Sequence, residues 1–323
     1  MLRPNPKNTA KGGWWDRTWS PIAMRCTKIS PACDSCWHLS MCKRLAENPR
    51  IKKDEREAYA GLINPVMTDR LADPWHWKKP AVIATQLMGD LFHDRVTYED
   101  QRAVMAVINA APQHLFILCT KRAERMFQFF ERLGEEVGRN VGNPWKGDFP
   151  FTNVMGLVTT ENQETADERI PWLARTPVRW RGISAEPLLG GINLDTFTGH
   201  FTDYPEKNVR ILERYRDVLD LVIAGGENAA KPRPTNPYHL RKLRNQCVES
   251  GTAFWFKGWG GWAPWDHVSH HWSDGFIPAR AGMTYSPSTY TWRIDKDLSG
   301  RVLDGRTWEE FPDEKNFEKR MKR

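Results

Sequence analysis

The 323-residue chain is 40% hydrophobic, 27% charged and 11% aromatic, which excludes a disordered or fibrous protein and allows a sizeable core without disulfide staples. Its 47 Lys and Arg against 40 Asp and Glu leave a net charge of +7, and Arg3, Lys7, Lys11, Arg17, Arg25 and Lys28 are opposed only by Asp16 before residue 30. That bias favours an anionic partner such as nucleic acid, and it suits a solvated basic surface equally well.

No apolar run approaches the roughly 18 residues of a spanning helix, so no membrane association is expected. The polar opening Met1-Leu2-Arg3-Pro4-Asn5-Pro6 has no apolar secretory stretch, and the expectation is a cytoplasmic protein. There is no internal repeat and no Gly/Ser linker, which reads as a single domain over residues 1–323. Within it, 1–50 form a cysteine-bearing segment and 258–323 an aromatic-rich extension.

A short strand is expected near Ile22 to Arg25, followed by the cysteine loop and a helix starting near Trp37. Strands follow near Ala81–Met88, Leu115–Thr120, Val154–Thr159, Val178–Ser184, Leu219–Ala224 and Thr252–Phe256, alternating with helical patterns as in βα units of a parallel sheet. Thr97 with Asp100 forms a capping box ahead of an apolar stripe of Ala103, Val104, Val107, Ile108 and Ala111, and Pro112 stops that helix. Asn162 to Arg175 reads as helical, with Pro171 predicting a kink or a division into two pieces. Asn236 caps a later helix with Pro237 at its first position and Gly251 just past its end.

Nearly every expected strand ends in a polar or charged group: Asp90, Lys121 with Arg122, Glu161, Glu186, Glu227 and Lys257. Ligands of parallel α/β proteins bind at the carboxyl ends of strands, so these groups would converge on one mouth. There Glu161, Glu186 and Glu227 can accept hydrogen bonds from an ammonium or from ribose hydroxyls. Lys121, Arg122 and Lys257 can receive a carboxylate or phosphate. The same charges can also pair with one another as structural salt bridges.

Four of the six cysteines fall between residues 26 and 42, and Cys26, Cys33 and Cys36 make a C-x6-C-x2-C pattern. Three thiolates can hold three irons of a 4Fe-4S cluster and leave the fourth iron open. The competing reading is a structural zinc held by Cys26, Cys33, Cys36 and Cys42, although only Cys33 and Cys36 form the close pair typical of such sites. In that case the protein is a zinc-stabilised DNA-binding module without catalysis.

Trp15-Asp16-Arg17-Thr18-Trp19-Ser20-Pro21, followed by the three cysteines, resembles the opening of a phage and bacterial family of radical-SAM-like proteins defined by a three-cysteine motif. The resemblance continues through Met88-Gly89-Asp90-Leu91-Phe92-His93, Thr120-Lys121-Arg122, Thr160-Glu161-Asn162-Gln163, Ser184-Ala185-Glu186-Pro187-Leu188-Leu189-Gly190, Gly225-Gly226-Glu227, Phe256-Lys257-Gly258-Trp259-Gly260 and Leu303-Asp304-Gly305-Arg306. It covers most of the chain.

The resemblance implies an α/β fold: a partial (β/α) barrel of radical SAM type, with parallel strands and an N-terminal Fe-S loop. Cys26, Cys33 and Cys36 would be ligands of a 4Fe-4S cluster that binds S-adenosyl-L-methionine, whose reductive cleavage yields a 5′-deoxyadenosyl radical that takes a hydrogen atom from the substrate. Gly225-Gly226-Glu227 resembles the glycine-glycine-acid turn that meets the cofactor's amino group elsewhere in the superfamily. Here it follows a late strand instead of an early one. Asp90, Glu161 and Glu186 are the other expected cofactor contacts, and Cys119, Lys121 and Lys257 the expected catalytic side chains.

The corresponding activity is isomerisation of an N-linked aminoacyl (glycyl) thymidine to its C-linked form during hypermodification of phage DNA, in the host cytoplasm, with an electron donor such as flavodoxin. A thymine-lesion lyase using Cys119 as hydrogen donor is the alternative enzyme; a small buried strand residue is the plainer reading of that thiol. Finally, Trp255, Trp259, Trp262, Trp265 and Trp272 crowd one stretch with His267, His270 and His271. They read either as a base-stacking surface for DNA or as an aromatic core.

Overall fold

The computed structural model describes residues 2–9, 12–138, 149–196, 214–264, 285–294 and 296–314. Nine strands matter for the site: β1 (Arg17–Trp19), β2 (Ile22–Ala23), β3 (Val66–Met67), β4 (Val82–Thr85), β5 (Leu115–Thr120), β6 (Val154–Thr159), β7 (Trp180–Ala185), β8 (Leu221–Gly225) and β9 (Ala253–Gly258). Seven of them form a parallel sheet in the order β1-β4-β5-β6-β7-β8-β9. The expected α/β class with parallel strands is therefore present. Continuous apolar runs explain it: every residue of β4, β6 and β8 is buried, as strands covered on both faces require.

The chain divides into two compact units, one of Leu2–Val158 with Trp172–Arg181 and one of Thr159–Pro171 with Gly182–Arg323. Each unit is discontinuous in sequence, so no linker marks a boundary between them.

In the first unit, β1 pairs with β4, β4 with β5 and β5 with β6 in parallel register. The expected Ile22–Arg25 strand is shorter, Ile22–Ala23, and pairs antiparallel with β3, outside the main sheet. The strand expected over Ala81–Met88 ends at Thr85 because Gln86 turns to φ 54° and leaves the extended region. The Thr97–Asp100 capping box forms in full ahead of the helix Tyr98–Asn109.

In the second unit, β7, β8 and β9 pair in parallel. Asn236 caps the helix Pro237–Ser250, accepting from the Tyr238 amide at 2.9 Å, and Gly251 closes it in the left-handed conformation. The helix Gln163–Arg175, of which Trp172–Arg175 are grouped with the first unit, runs through Pro171 as one element, so the division into two pieces does not occur. Buried Ala166, Ile170 and Leu173 anchor it in spite of the missing N–H. Beyond β9 lies a small antiparallel sheet of Trp262–Pro264, Tyr285–Ser286 and Thr291–Arg293. A hairpin of Val302–Leu303 and Arg306–Thr307 turns at Asp304-Gly305, and Arg241 and Arg244 donate to the Asp304 carboxylate at 2.8 and 2.6 Å.

Candidate functional site

The cysteine loop is built by residues that follow β4. Gln86 accepts from the Ile22 amide through Oε1 at 3.1 Å and donates to the Ile22 carbonyl through Nε2 at 2.8 Å, clasping β2 as a backbone strand would. Gly89, at φ 137°, lies so close to Met24 that a Cβ would meet its Cγ and Sδ at 2.6 Å. Only glycine lets this turn approach the segment that enters the loop. Arg95 then donates to the Arg25 carbonyl at 2.9 Å.

Cys26 follows directly. Its amide donates to His38 Nε2 at 3.4 Å, and the Arg122 guanidinium lies 3.8 Å from its sulfur. Burial, with the Asp90 charge adding to it, pushes the Cys26 thiol up, and Arg122 opposes the shift. Cys33 sits in the short 3-10 turn Pro31–Ser35, its sulfur 3.7 Å from Ser30 Oγ. Burial would raise that thiol too, but backbone hydrogen bonds at Ile29 and Ser30 and the Lys121 charge outweigh it and favour the thiolate. Cys36 is the cap residue of the helix Trp37–Ala46.

Some of the thiols act on one another electrostatically: Cys26 feels Cys33, and Cys42 feels Cys26 and Cys36. Among the described residues, no group of three or more His, Cys, Asp or Glu side chains is gathered closely enough to hold a metal ion. Cys42 differs from the other three. It is fully buried, with its sulfur 3.5 Å from the Met24 carbonyl and 3.3 Å from His38 Nε2, and burial pushes its thiol up to about 11.

Asp90 and Arg122 close the loop's inner side. Their side chains are each 6% exposed and pair at 3.0 Å. Asp90 also accepts from Thr120 Oγ1 at 2.7 Å, the Phe92 amide at 3.0 Å and the Lys121 amide at 3.4 Å. His93 Nδ1 accepts from the Arg95 amide at 3.1 Å, which leaves Nε2–H to donate to Thr27 Oγ1 at 2.9 Å. Burial, aided by Arg122, pushes His93 down to about 4, so it is neutral in the fold near pH 7. Cys119 is half-buried in β5, in register with Leu157 of β6.

The second unit holds the other expected site residues as paired charges. Glu161 is fully buried against Arg169 at 3.1 Å. Glu186 meets Lys257 at 3.1 Å, with Ser184 Oγ 3.4 Å from the same carboxylate. Glu227 accepts from the Arg233 amide at 2.8 Å and from both Nε and Nη2 of its guanidinium. Gly226 serves a close backbone approach: a Cβ there would lie 1.9 Å from the Trp259 carbonyl oxygen. A closely packed turn explains this glycine without any ligand.

Trp255, Trp259 and Trp262 are all buried, and the indole N–H groups of Trp259 and Trp262 donate to the carbonyls of Val302 at 2.9 Å and Pro232 at 2.7 Å. For these three the aromatic-core reading holds, and they offer no stacking surface. Trp265, Trp272, His267, His270 and His271 lie outside the described residues. Sequence reasoning assigned no role to His38, His93, Arg95 or Thr27. Their signal is local: each stands within a few residues of a cysteine or of the Asp90 turn.

Fold and site together define a parallel α/β protein whose cysteine loop is held by side chains from strand ends. The sequence matches the family described as "Protein of unknown function (DUF5131)" over residues 9–312, and the chain belongs to that family. No curated protein and no solved structure matches it. No helix among the described residues is long and apolar enough to cross a membrane.

Proposed function

We propose that the protein is a radical S-adenosylmethionine enzyme of partial (β/α) barrel type. The observation that carries this reading is the cysteine loop itself, with Cys26 in electrostatic reach of Cys33, the Arg122 guanidinium 3.8 Å from the Cys26 sulfur and the Lys121 charge acting on Cys33. The donor set suits an iron–sulfur cluster: soft sulfur ligands, a Cys33 environment that favours thiolate, and Arg122 and Lys121 to offset cluster charge. Cys26, Cys33 and Cys36 would hold the cluster. Cys42, packed against His38 and Met24 with a raised thiol, is better suited to structure than to ligation. When bound, the cluster and S-adenosylmethionine supply a hydrogen-abstracting radical on one-electron reduction.

The chain's own residues provide the rest. His93, kept neutral, holds Thr27 through a fixed tautomer, and Asp90 keeps Arg122 beside Cys26. The substrate in this reading is an aminoacyl thymidine, free or in DNA. The reaction is isomerisation of the N-linked to the C-linked form in the cytoplasm, with a flavodoxin-like protein as electron donor.

The test is to give the reduced, reconstituted protein S-adenosylmethionine with an oligonucleotide carrying N-glycylated thymidine. With excess reductant, which also supplies the electron that, with a proton, quenches the rearranged radical, the reading predicts 5′-deoxyadenosine and a product of unchanged mass but altered retention, both absent with Cys33→Ala. Failure to cleave S-adenosylmethionine would refute it. Cleavage followed by loss of the glycyl group would point to a lyase.

A further inference from the structure

Arg122 stands two residues past buried Thr120, the last residue of β5, and it is itself almost wholly buried. A guanidinium in such a place needs partners for its donors. Nη1 donates to Asp90 at 3.0 Å and lies 3.8 Å from the Cys26 sulfur, Nη2 donates to Thr27 Oγ1 at 2.8 Å, and Nε faces Asp94 at 3.7 Å. One planar fork therefore joins the turn after β4, the turn after β5 and the cysteine loop. Thr27 Oγ1 also receives the His93 N–H, so the threonine is held from two sides.

We propose that Arg122 is the positioning residue of the cysteine loop: it ties Cys26 and Thr27 to Asp90, so that the first cysteine is held in place before any ligand binds. This rests on the loop being the cluster site, but the clamp is a property of the chain without cluster. Asp90 fixes the guanidinium and Thr27 receives it, so the three residues work as a unit. Lysine carries the charge but not the fork, and cannot reach Asp90 and Thr27 together. This assigns Arg122 inward to the loop, away from the substrate anion that its charge alone suggests.

The experiment is hydrogen exchange by mass spectrometry on the full cluster-free chain, comparing Arg122→Gln, Arg122→Lys, Thr27→Val and the Arg122→Gln/Asp90→Asn pair. The peptide covering residues 25–29 should exchange about tenfold faster or more in Arg122→Gln, with Arg122→Lys and Thr27→Val intermediate. Adding Thr27→Val to Arg122→Gln should bring a less than additive further change, because the Arg122–Thr27 bond is common to both and only the His93–Thr27 bond is newly lost. The helix Trp37–Ala46 should keep its protection. The paired variant removes both buried charges together; if Arg122→Gln alone does not fold, that variant, Thr27→Val and Arg122→Lys decide the matter.

Unchanged exchange of residues 25–29 in the folded variants would overturn the clamp. So would a uniform rise over the whole chain. After reconstitution, Thr27→Val and Arg122→Lys should lose iron to a chelator several-fold faster than the parent. A parent that takes up no iron would refute the cluster reading, whereas the exchange result would still judge the clamp.

Discussion

Replacing Arg169 with Met tests whether Glu161 is a structural charge. The Glu161 side chain is 0% exposed and that of Arg169 2%, with 3.1 Å between them, and Arg169 Nη1 also donates to the Thr159 carbonyl at 2.7 Å. At this separation the attraction is about 5 kcal/mol for an effective dielectric of about 20, and removing one partner of a buried pair typically costs about 3–5 kcal/mol. Met preserves much of the apolar stem, so the loss is chiefly electrostatic. Arg169→Met should therefore lower the unfolding free energy by about 3–5 kcal/mol. Glu161→Gln should cost about 1–3 kcal/mol, since an amide still accepts from the guanidinium. The Arg169→Met/Glu161→Leu pair should recover a large part of the loss, about 2 kcal/mol or more relative to Arg169→Met alone. Urea denaturation with unchanged m values measures all three. A loss below about 0.5 kcal/mol for Arg169→Met would refute the structural assignment and return Glu161 to the group of cofactor contacts.

Three other outcomes follow from the same structure. His93 is held down to about 4 against an ordinary 6.5, so its contribution to stability is complete above pH 6.5 and is lost as pH falls towards 4. His93→Gln should flatten that stability difference between pH 7.5 and 5 by on the order of 1–2 kcal/mol, and an identical slope in parent and variant would contradict it. Gly226→Ala, whose Cβ would meet the Trp259 carbonyl at 1.9 Å, should lower stability by about 3 kcal/mol or prevent folding; an unchanged Tm would show that the turn yields easily. Cys42→Ala should retain the metal content of the parent, while Cys26→Ala, Cys33→Ala and Cys36→Ala lose it. Equal loss in all four would favour a four-thiolate site.

Much of the frame was legible in the sequence because its signals are local. Leu115–Thr120 and Val154–Thr159 form strands with the expected bounds, since their apolar runs are continuous and have sharp polar ends. The capping box at Thr97 and the Asn236 and Gly251 signals also act within a few residues. β1 was not legible: Arg17-Thr18-Trp19 is three residues long and mostly polar, and becomes a strand only by pairing with β4. The strand-end charges were legible as positions but not as pairs. Nothing local in the sequence says that Glu227 meets Arg233, that Glu186 meets Lys257, or that Arg122 turns inward to Asp90 and Cys26. Gly225-Gly226-Glu227 shows the same limit, because its second glycine is required by a backbone 33 residues away in sequence, at Trp259.

The most direct test of the central claim is the metal itself: anaerobic purification and reconstitution, followed by iron, acid-labile sulfide and zinc analysis of the full chain. About four irons and four sulfides per chain, with little zinc, are expected. One tightly held zinc per chain and no iron would contradict that claim, and would leave a metal-stabilised loop without redox chemistry.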